Sequence, residues 1–358
     1  MKFNPTMFTT VKDAAGLTQT AIAEYAGLSQ ASVSKIENGL EEPTREFVLK
    51  VSELAGVSPD LFHQRDDLLP GTLFDIFHKK RLTLPAKPLK AANAQAQLTR
   101  LQVGHLLRTF DVPATLPFPN LNLDQHESPG EVAALTRAMW QIPNGPLPNL
   151  VKAVEATATP VILMDLGHEK LRAMSMPGAK SYGTHIIVMN DRLPASALRF
   201  ALAHEIGHLI MHEGVANNEM EKEADDFASA LLMPEEDIAP KLRNVKFRDL
   251  GALKAYWHVS LAALIFRAHD LGLITERHYR TLFMELNKLP NGRKREPGEF
   301  PREEPQLVRR VIDSYAAQGY SVRELCRMMV ITEYDFRLRY LGETPPEGRL
   351  RLVKGAAG

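Results

Sequence analysis

Cysteine is almost missing from these 358 residues. Cys326 stands alone, so no intrachain disulfide and no cysteine-built zinc cluster can exist. Nor is there an apolar run approaching the ~20 residues that span a bilayer. The opening stretch MKFNPTMFTTVKDAAG lacks the roughly 7–15-residue apolar core and the small-residue cleavage site of a secretory leader. These absences predict a protein of the reducing cytoplasm with no membrane partner. Charge of either sign is not in excess: 43 Lys+Arg balance 43 Asp+Glu, which excludes a uniformly basic nucleic-acid or membrane-surface binder. No low-complexity tract and no fixed-period repeat occurs, which excludes a solenoid.

What is present is ordinary for a folded chain: 44% hydrophobic and 24% charged residues, over a length that at about 100–200 residues per domain predicts two or three domains. The zero net charge is a sum of unequal blocks. Residues 1–70 hold 6 basic and 10 acidic side chains, and 71–110 hold 7 and 1. The stretch from there to 240 holds 8 and 18, and 241–358 holds 22 and 14. Short helices are expected over 7–62, and a basic helical segment over 63–115. Helical and strand signals mix over 129–240, and helices resume after Pro240. The loop LPNGRKREPGEFPREEP (289–305) has the Gly, Pro and charge content of an exposed linker. TPVILMDL (159–166) and THIIVMN (184–190) read as strands. The fold class is therefore mainly α with a small β-sheet, α+β.

The strongest chemical signal is His204-Glu205-Ile206-Gly207-His208, an HExxH pattern in the helical stretch PASALRFALAHEIGHLIMHEG (194–214). Histidines at i and i+4 share a helix face, so both imidazoles can reach one metal at about 2.0 Å, with Glu205 placed to take a proton from the water it activates. Catalytic sites of this kind use a third protein ligand. The next helix, 218–234, offers Glu221, with Asp225 one turn on to accept the other ring N–H of His204. Glu219 and Glu223 compete for the same role. Two plainer readings stand beside this one: a solvated acidic helix start, and an inert buried histidine pair.

LRFALAHEIGHLIMH (198–212) followed by EKEADDFASALLMP (221–234) resembles the ImmA/IrrE family of bacterial metallopeptidases, cytoplasmic gluzincin-like proteins that cleave repressors. The resemblance implies zinc on His204, His208 and Glu221, with Glu205 as general base; manganese is the alternative ion for such a donor set. It also implies that the strand THIIVMN lies beside the cleft and pairs with an extended substrate. Tyr182, His185 and His212 are candidate oxyanion stabilisers by their nearness in sequence.

Residues 17–39, LTQTAIAEYAGLSQASVSKIENG, carry a separate signal. A helix from Thr18 to Tyr25, a turn at Gly27 and a second helix capped by Ser29 give a helix-turn-helix, packed through Ala23, Leu28, Val33 and Ile36. The segment 7–62 resembles the Xre/Cro/CI repressor domain. That resemblance implies Gln19 on phosphate, Gln30 reading a base edge, Ser32, Ser34 and Lys35 on the same face, and Asn38 at the backbone. The competing reading is a helical scaffold for dimerisation, and a homodimer is a partner expectation in its own right. HKKRLTLPAKPLKAANAQAQLTR (78–100) could lie along phosphates. A further helix-turn-helix is expected around His258 to Ser260, with Trp257, Leu261 and Ile265 as core, and YSVRELCRMMVITEYDFRLRYLG (320–342) repeats the rhythm.

The expected organisation is a helix-turn-helix domain over 1–66, a basic connector over 67–115 and a metallopeptidase domain over 116–240. A helical module follows over 241–290, and a helical C-terminal region over 291–358. The functional expectation is a regulator that binds a DNA operator and cleaves a helix-turn-helix repressor or antitoxin by metal-activated water. Its alternative is a transcription factor whose HExxH domain senses a metal or ligand without proteolysis.

Overall fold

The computed structural model describes residues 2–65, 86–178, 184–212, 219–290 and 296–343. It is an α+β structure with one small sheet. The N-terminal unit holds α1 (Pro5–Ala14), α2 (Gln19–Ala26), α3 (Gln30–Glu37), α4 (Arg45–Ala55) and a 3₁₀ turn at Pro59–His63. Local chemistry sets its boundaries. Asn4, Thr18, Ser29 and Thr44 each accept a first-turn backbone N–H, and Gly27 and Gly56 stop their helices in the left-handed region. Phe8, Phe47, Phe62, Ile22, Val33 and Ile36 fill its centre. Ala23 packs there too, but Leu28, expected in that core, is 41% exposed, because the chain leaves the left-handed Gly27 with the next side chain turned outward.

The same three-residue turn recurs. A left-handed residue, an apolar residue and a hydroxyl N-cap join α2 to α3 (Gly27-Leu28-Ser29). His258-Val259-Ser260 joins α11 (Phe247–Trp257) to α12 (Leu261–Asp270). Val330-Ile331-Thr332 joins α15 (Val322–Met329) to α16 (Glu333–Phe336), which runs on through a π turn at Arg337–Leu341. Trp257, Leu261 and Ile265 are buried.

The segment expected as a basic connector contributes α5 (Ala86–Leu107), whose second half is buried throughout. Lys87 and Lys90 are exposed at its start, while Arg100 is interior; residues 78–85 of the basic stretch lie outside the described residues. Leu98 and Leu101 complete the N-terminal core together with Val330. Farther along, Val103 and Leu106 pack with α14 (Leu307–Ala317) and α15 against one face of the sheet.

That sheet has the order β1 (Val161–Met164), β3 (Ile186–Asn190), β2 (Ala173–Met176), with β1 parallel and β2 antiparallel to β3. Alternate residues of β3 serve two cores. Ile186 and Val188 face α5, α14 and α15, whereas Ile187 and Met189 face α8 (Ala195–Met211). Burial on both faces explains why β3 reads as an unbroken apolar run. β2, too short and too rich in Met to stand out, has no counterpart in the sequence reading. Around α8 lie α6 (Pro129–Met139), α7 (Leu150–Glu155), α9 (Met220–Leu232), α10 (Glu235–Leu242) and α13 (Glu276–Asn287).

The stretch expected as an exposed linker is, from residue 296 on, a clasp; 291–295 lie outside the described residues. Glu296 accepts the Leu261 and Ala262 N–H groups at the start of α12, and Glu299 accepts Ser196 N–H at the start of α8. Glu303 accepts Leu150 and Val151 N–H at the start of α7. Three carboxylates thus sit on three helix N-termini, where the unpaired amides and the helix dipole favour an anion. Lys254, 1% exposed, bridges Glu296 at 3.0 Å and Glu299 at 2.6 Å, and Arg199 pairs with Glu303. Nothing local in the sequence marks a glutamate as the cap of a helix that lies 35 or more residues away.

Removing one member of a buried ion cluster strands the others. Lys254→Ala should lower unfolding stability by about 3–5 kcal/mol. Urea denaturation of the purified chain measures this, and a shift below about 1 kcal/mol would show the clasp to be dispensable.

Candidate metal centre

α8 is built to be buried on nearly every side: Leu198, Ala201, Leu202, Ala203, Ile206, Ile210 and Met211 are interior, not confined to the single face that an amphipathic period predicts. Pro194 precedes its first turn, and the helix ends at His212, whose N–H still bonds the His208 carbonyl. Gly214, expected as the stop, lies outside the described residues. α9 crosses α8 at Gly207, where a Cβ would stand 2.9 Å from Cδ1 and 3.3 Å from Cγ of Phe227. Glycine at that position is what lets the two helices approach so closely.

The approach brings three donor atoms together. His204 Nε2 and His208 Nε2 are 3.0 Å apart, and the Glu221 carboxylate lies 3.3 Å from His208 Nε2 and 3.9 Å from His204 Nε2. Bonds of about 2.0–2.1 Å in a tetrahedral site would give donor separations near ~3.3 Å, so the three atoms have the spacing of one face of such a site. His204, His208 and Glu221 form a metal-competent group among the described residues.

The outer contacts agree with that use of the rings. Asp225 Oδ1 is 2.9 Å from His204 Nδ1, so that nitrogen carries the proton and Nε2 presents its lone pair inward. Burial, ahead of the neighbouring charges, holds His208 below the ordinary histidine range. Burial, followed by His208 and His204, pushes His212 down to about 3. His208 and His212 are therefore neutral at physiological pH, as metal coordination requires. The donor set of two imidazoles and one carboxylate fits a divalent ion such as zinc or manganese.

Glu205 points to β2 and is 4% exposed. Its Oε2 accepts from Ser175 N–H at 2.8 Å and from Ser175 Oγ–H at 2.6 Å. The Asn190 N–H to Arg172 carbonyl bond fixes the alternation of the β2–β3 ladder, so Ser175 N–H faces away from β3, toward α8. Among the described residues β2 is thus an edge strand, and the side of it turned away from β3 lies beside Glu205, which takes the Ser175 N–H. The strand expected there, THIIVMN, is the central strand β3, paired on both sides and without a free edge, which corrects that expectation. Ser175 is the neighbour that sequence reasoning missed, because the strand carrying it was not recognised.

Of the competing acids, Glu223 turns to His212, its Oε2 3.0 Å from Nε2. Burial first, then Glu219, Asp124 and Asp226, holds Glu223 above the ordinary carboxylate range. Tyr182 lies outside the described residues. His185 Nδ1 accepts from Gly178 N–H and its ring lies against Phe118, and His212 is bonded through both ring nitrogens. Neither histidine is among the metal-competent group.

Residues 154–269 match the family model of the IrrE N-terminal-like domain, and residues 11–62 match that of the helix-turn-helix family. The chain combines an ImmA/IrrE-type peptidase domain with a Cro/CI-type helix-turn-helix domain. No curated protein matches it. The peptidase match takes in β1 to β3, α8, α9 and the pair α11–α12, and so includes every residue of the metal-competent group.

In the helix-turn-helix domain, Gln30, Lys35 and Asn38 are exposed on α3, with Ser32 and Ser34 half-buried beside them. Gln19, expected on phosphate, is engaged within the domain. It donates to Glu37 at 2.7 Å and accepts from Gln30 at 2.5 Å, and Glu37 also meets Lys12 at 2.8 Å. The Asn38 amide donates to the Ser34 carbonyl at 2.7 Å. The terminal amide of Gln30 is therefore tied to Gln19, a bond it must rearrange or share to meet a base edge.

Gly207→Ala tests the helix approach. The added methyl group forces α9 away from α8 and carries Glu221 with it. A stability loss of about 1–3 kcal/mol in urea is expected, together with weaker zinc binding in competition with a chromophoric chelator. Unchanged zinc affinity would separate the glycine from the metal centre.

Proposed function

We propose that this chain is a DNA-binding regulator that also hydrolyses a peptide bond in a protein partner, with His204, His208 and Glu221 holding a divalent ion, zinc first, and Glu205 acting as general base. The observation that carries the reading is the convergence of two imidazole nitrogens and one carboxylate within 3.0–3.9 Å, with a buried, oriented carboxylate one residue from the first histidine. A bound divalent ion would supply Lewis acidity and acidify a water toward a pKa of about 7.

The protein's own groups do the rest. Asp225 fixes the His204 ring. Ser175 holds one oxygen of Glu205 so that the carboxylate keeps one orientation as it takes a proton from water and passes it to the leaving amine. Away from Ser175, whose N–H is held by Glu205, the outer edge of β2 would offer backbone pairing to an extended substrate lying alongside α8. The substrate class we propose is a helix-turn-helix repressor or an antitoxin. Support comes from the pairing of an ImmA/IrrE-type peptidase domain with a Cro/CI-type domain in one chain, and from the net acidic charge of the sequence stretch that carries the metal-competent residues, which suits a cationic target.

One observation favours a second reading, a sensor without turnover: the hydrogen bonds from Ser175 satisfy Glu205 Oε2 as they would a purely structural carboxylate.

Zinc-loaded protein incubated with candidate helix-turn-helix repressors and antitoxins should give one cleavage product from its target, absent with Glu205→Gln although zinc still binds. Cleavage of no candidate by zinc-bound wild type, with cellular phenotype unchanged in Glu205→Gln, would establish the sensor instead. For the other end of the chain, Gln30→Ala should weaken operator binding by about 1–3 kcal/mol and relax preference at one base pair. Footprinting at fixed salt measures this, and equal loss on all sequences would show Gln30 to be a backbone contact.

A further inference from the structure

His212, expected as a candidate oxyanion stabiliser, follows the HExxH histidines at the same four-residue spacing. The structure puts it elsewhere. Its ring lies on the far side of His208, with Nδ1 3.0 Å from His208 Nδ1 and Nε2 3.0 Å from Glu223 Oε2, and neither nitrogen joins the group formed by His204, His208 and Glu221.

With neutral rings, an ionised Glu223 and the two Nε2 atoms left free for a cation, the hydrogen bonds along this chain have one consistent solution. The Glu223 carboxylate oxygen accepts, so His212 Nε2 carries a proton and donates it. A neutral imidazole then has a lone pair at Nδ1, and His212 Nδ1 must accept from His208 Nδ1–H. With its proton committed at Nδ1, His208 presents the Nε2 lone pair toward His204 Nε2 and Glu221. The alternative tautomer of His208 would oppose two lone pairs at the Nδ1–Nδ1 contact, away from the donor group, and would point a proton into that group; the lone pairs that meet at the two Nε2 atoms are the ones a bound cation would take up.

We propose that His212 and Glu223 are positioning residues for the metal centre, a two-step relay that fixes the tautomer and ring plane of His208 as Asp225 alone does for His204. The proposal rests on the metal-binding reading above. It accounts for two residues that the hydrolytic mechanism leaves idle: a histidine with a 3% exposed side chain at the end of α8, and a glutamate that faces away from the metal-competent group although it lies two residues from Glu221. Position makes the relay possible. His212 is the C-cap of α8, one turn beyond His208, and Glu223 is in the first turn of α9, so the crossing that delivers Glu221 to the histidines delivers Glu223 to His212.

The test measures zinc affinity of the full chain by competition with a chromophoric chelator, supported by the visible absorption of the cobalt(II) form. Circular dichroism melting of the metal-free protein serves as the fold control. His212→Phe should weaken zinc binding about 10–100-fold and shift the cobalt bands, with Glu223→Ala showing a smaller loss of the same kind. His212→Asn, which keeps an acceptor near the Nδ1 position, should recover most of the affinity. If His212→Phe does not fold, Glu223→Ala, at a residue nearer the surface, decides. Zinc affinity within about twofold of wild type in the folded variants overturns the relay and leaves the peptidase reading intact. Wild type that binds no zinc overturns both.

Discussion

A helix with apolar residues on nearly every side has to be buried, and α8 carries five polar side chains into that interior. Everything around it can be read as the answer to where their hydrogen bonds go. Ser196 is met by Glu299 and Arg199 by Glu303, both from the clasp. His204 is met by Asp225, Glu205 by Ser175 and His208 by His212. No two of these five contacts come from the same residue, and they are drawn from α9, from β2, from the end of α8 and from the chain after residue 296. The helix N-terminus is closed by carboxylates and its C-terminal half holds imidazoles, so one buried element has a structural end and a chemical end.

This arrangement explains why the peptidase domain needs chain beyond its own match. Residues 154–269 include the metal-competent group but not Glu296, Glu299 or Glu303, and not the helices that cover the second face of the sheet. That face is closed by α5 from before the domain and by α14 and α15 from after it. Glu155, in turn, accepts the Gln306 and Leu307 N–H groups that open α14, a fourth carboxylate on a helix N-terminus. Sequence segments that look like connectors on either side are thus interior parts of one fold.

How much of this is legible in the sequence depends on the range of the interaction. Helix ends were readable where the cap is adjacent, as at Thr18, Gly27 and Ser29, and so were the HExxH histidines and the acid pair Glu221 and Asp225, because helical spacing fixes which side chains share a face. β3 was readable as a strand, but its place in the sheet was not: strand order is set by tertiary packing, and the short β2 between two loops has no periodicity to reveal it. The clasp was misread for the same reason. Pro, Gly and Glu in series have the composition of solvent-facing chain, and only the folded structure shows that the glutamates meet helix starts. His212 is visible in the sequence as a candidate oxyanion stabiliser one helical turn from His208; what the spacing cannot say is that the ring sits behind its neighbour, bonded to it and to Glu223 and outside the donor group.

The two functional ends also share structure. Leu98 and Leu101 of α5, with Val330 from the C-terminal turn, complete the core of the helix-turn-helix domain, and the Gln95 amide donates to the Ala14 carbonyl at its edge. A reading head on a flexible tether would sweep a volume set by its linker, and the effective concentration of any target near the operator would fall with the reach of that tether. On the proposed reading, a head seated on the same helix that supports the sheet would hold the metal-competent group at a fixed offset from bound DNA. Such geometry favours targets at one distance and excludes those the fixed offset cannot meet, so a cleaved partner would have to sit beside the operator or come to the cleft from solution. The net acidic charge of the sequence stretch that contains the metal-competent group would work in the same direction on that reading, because it would repel a phosphate backbone.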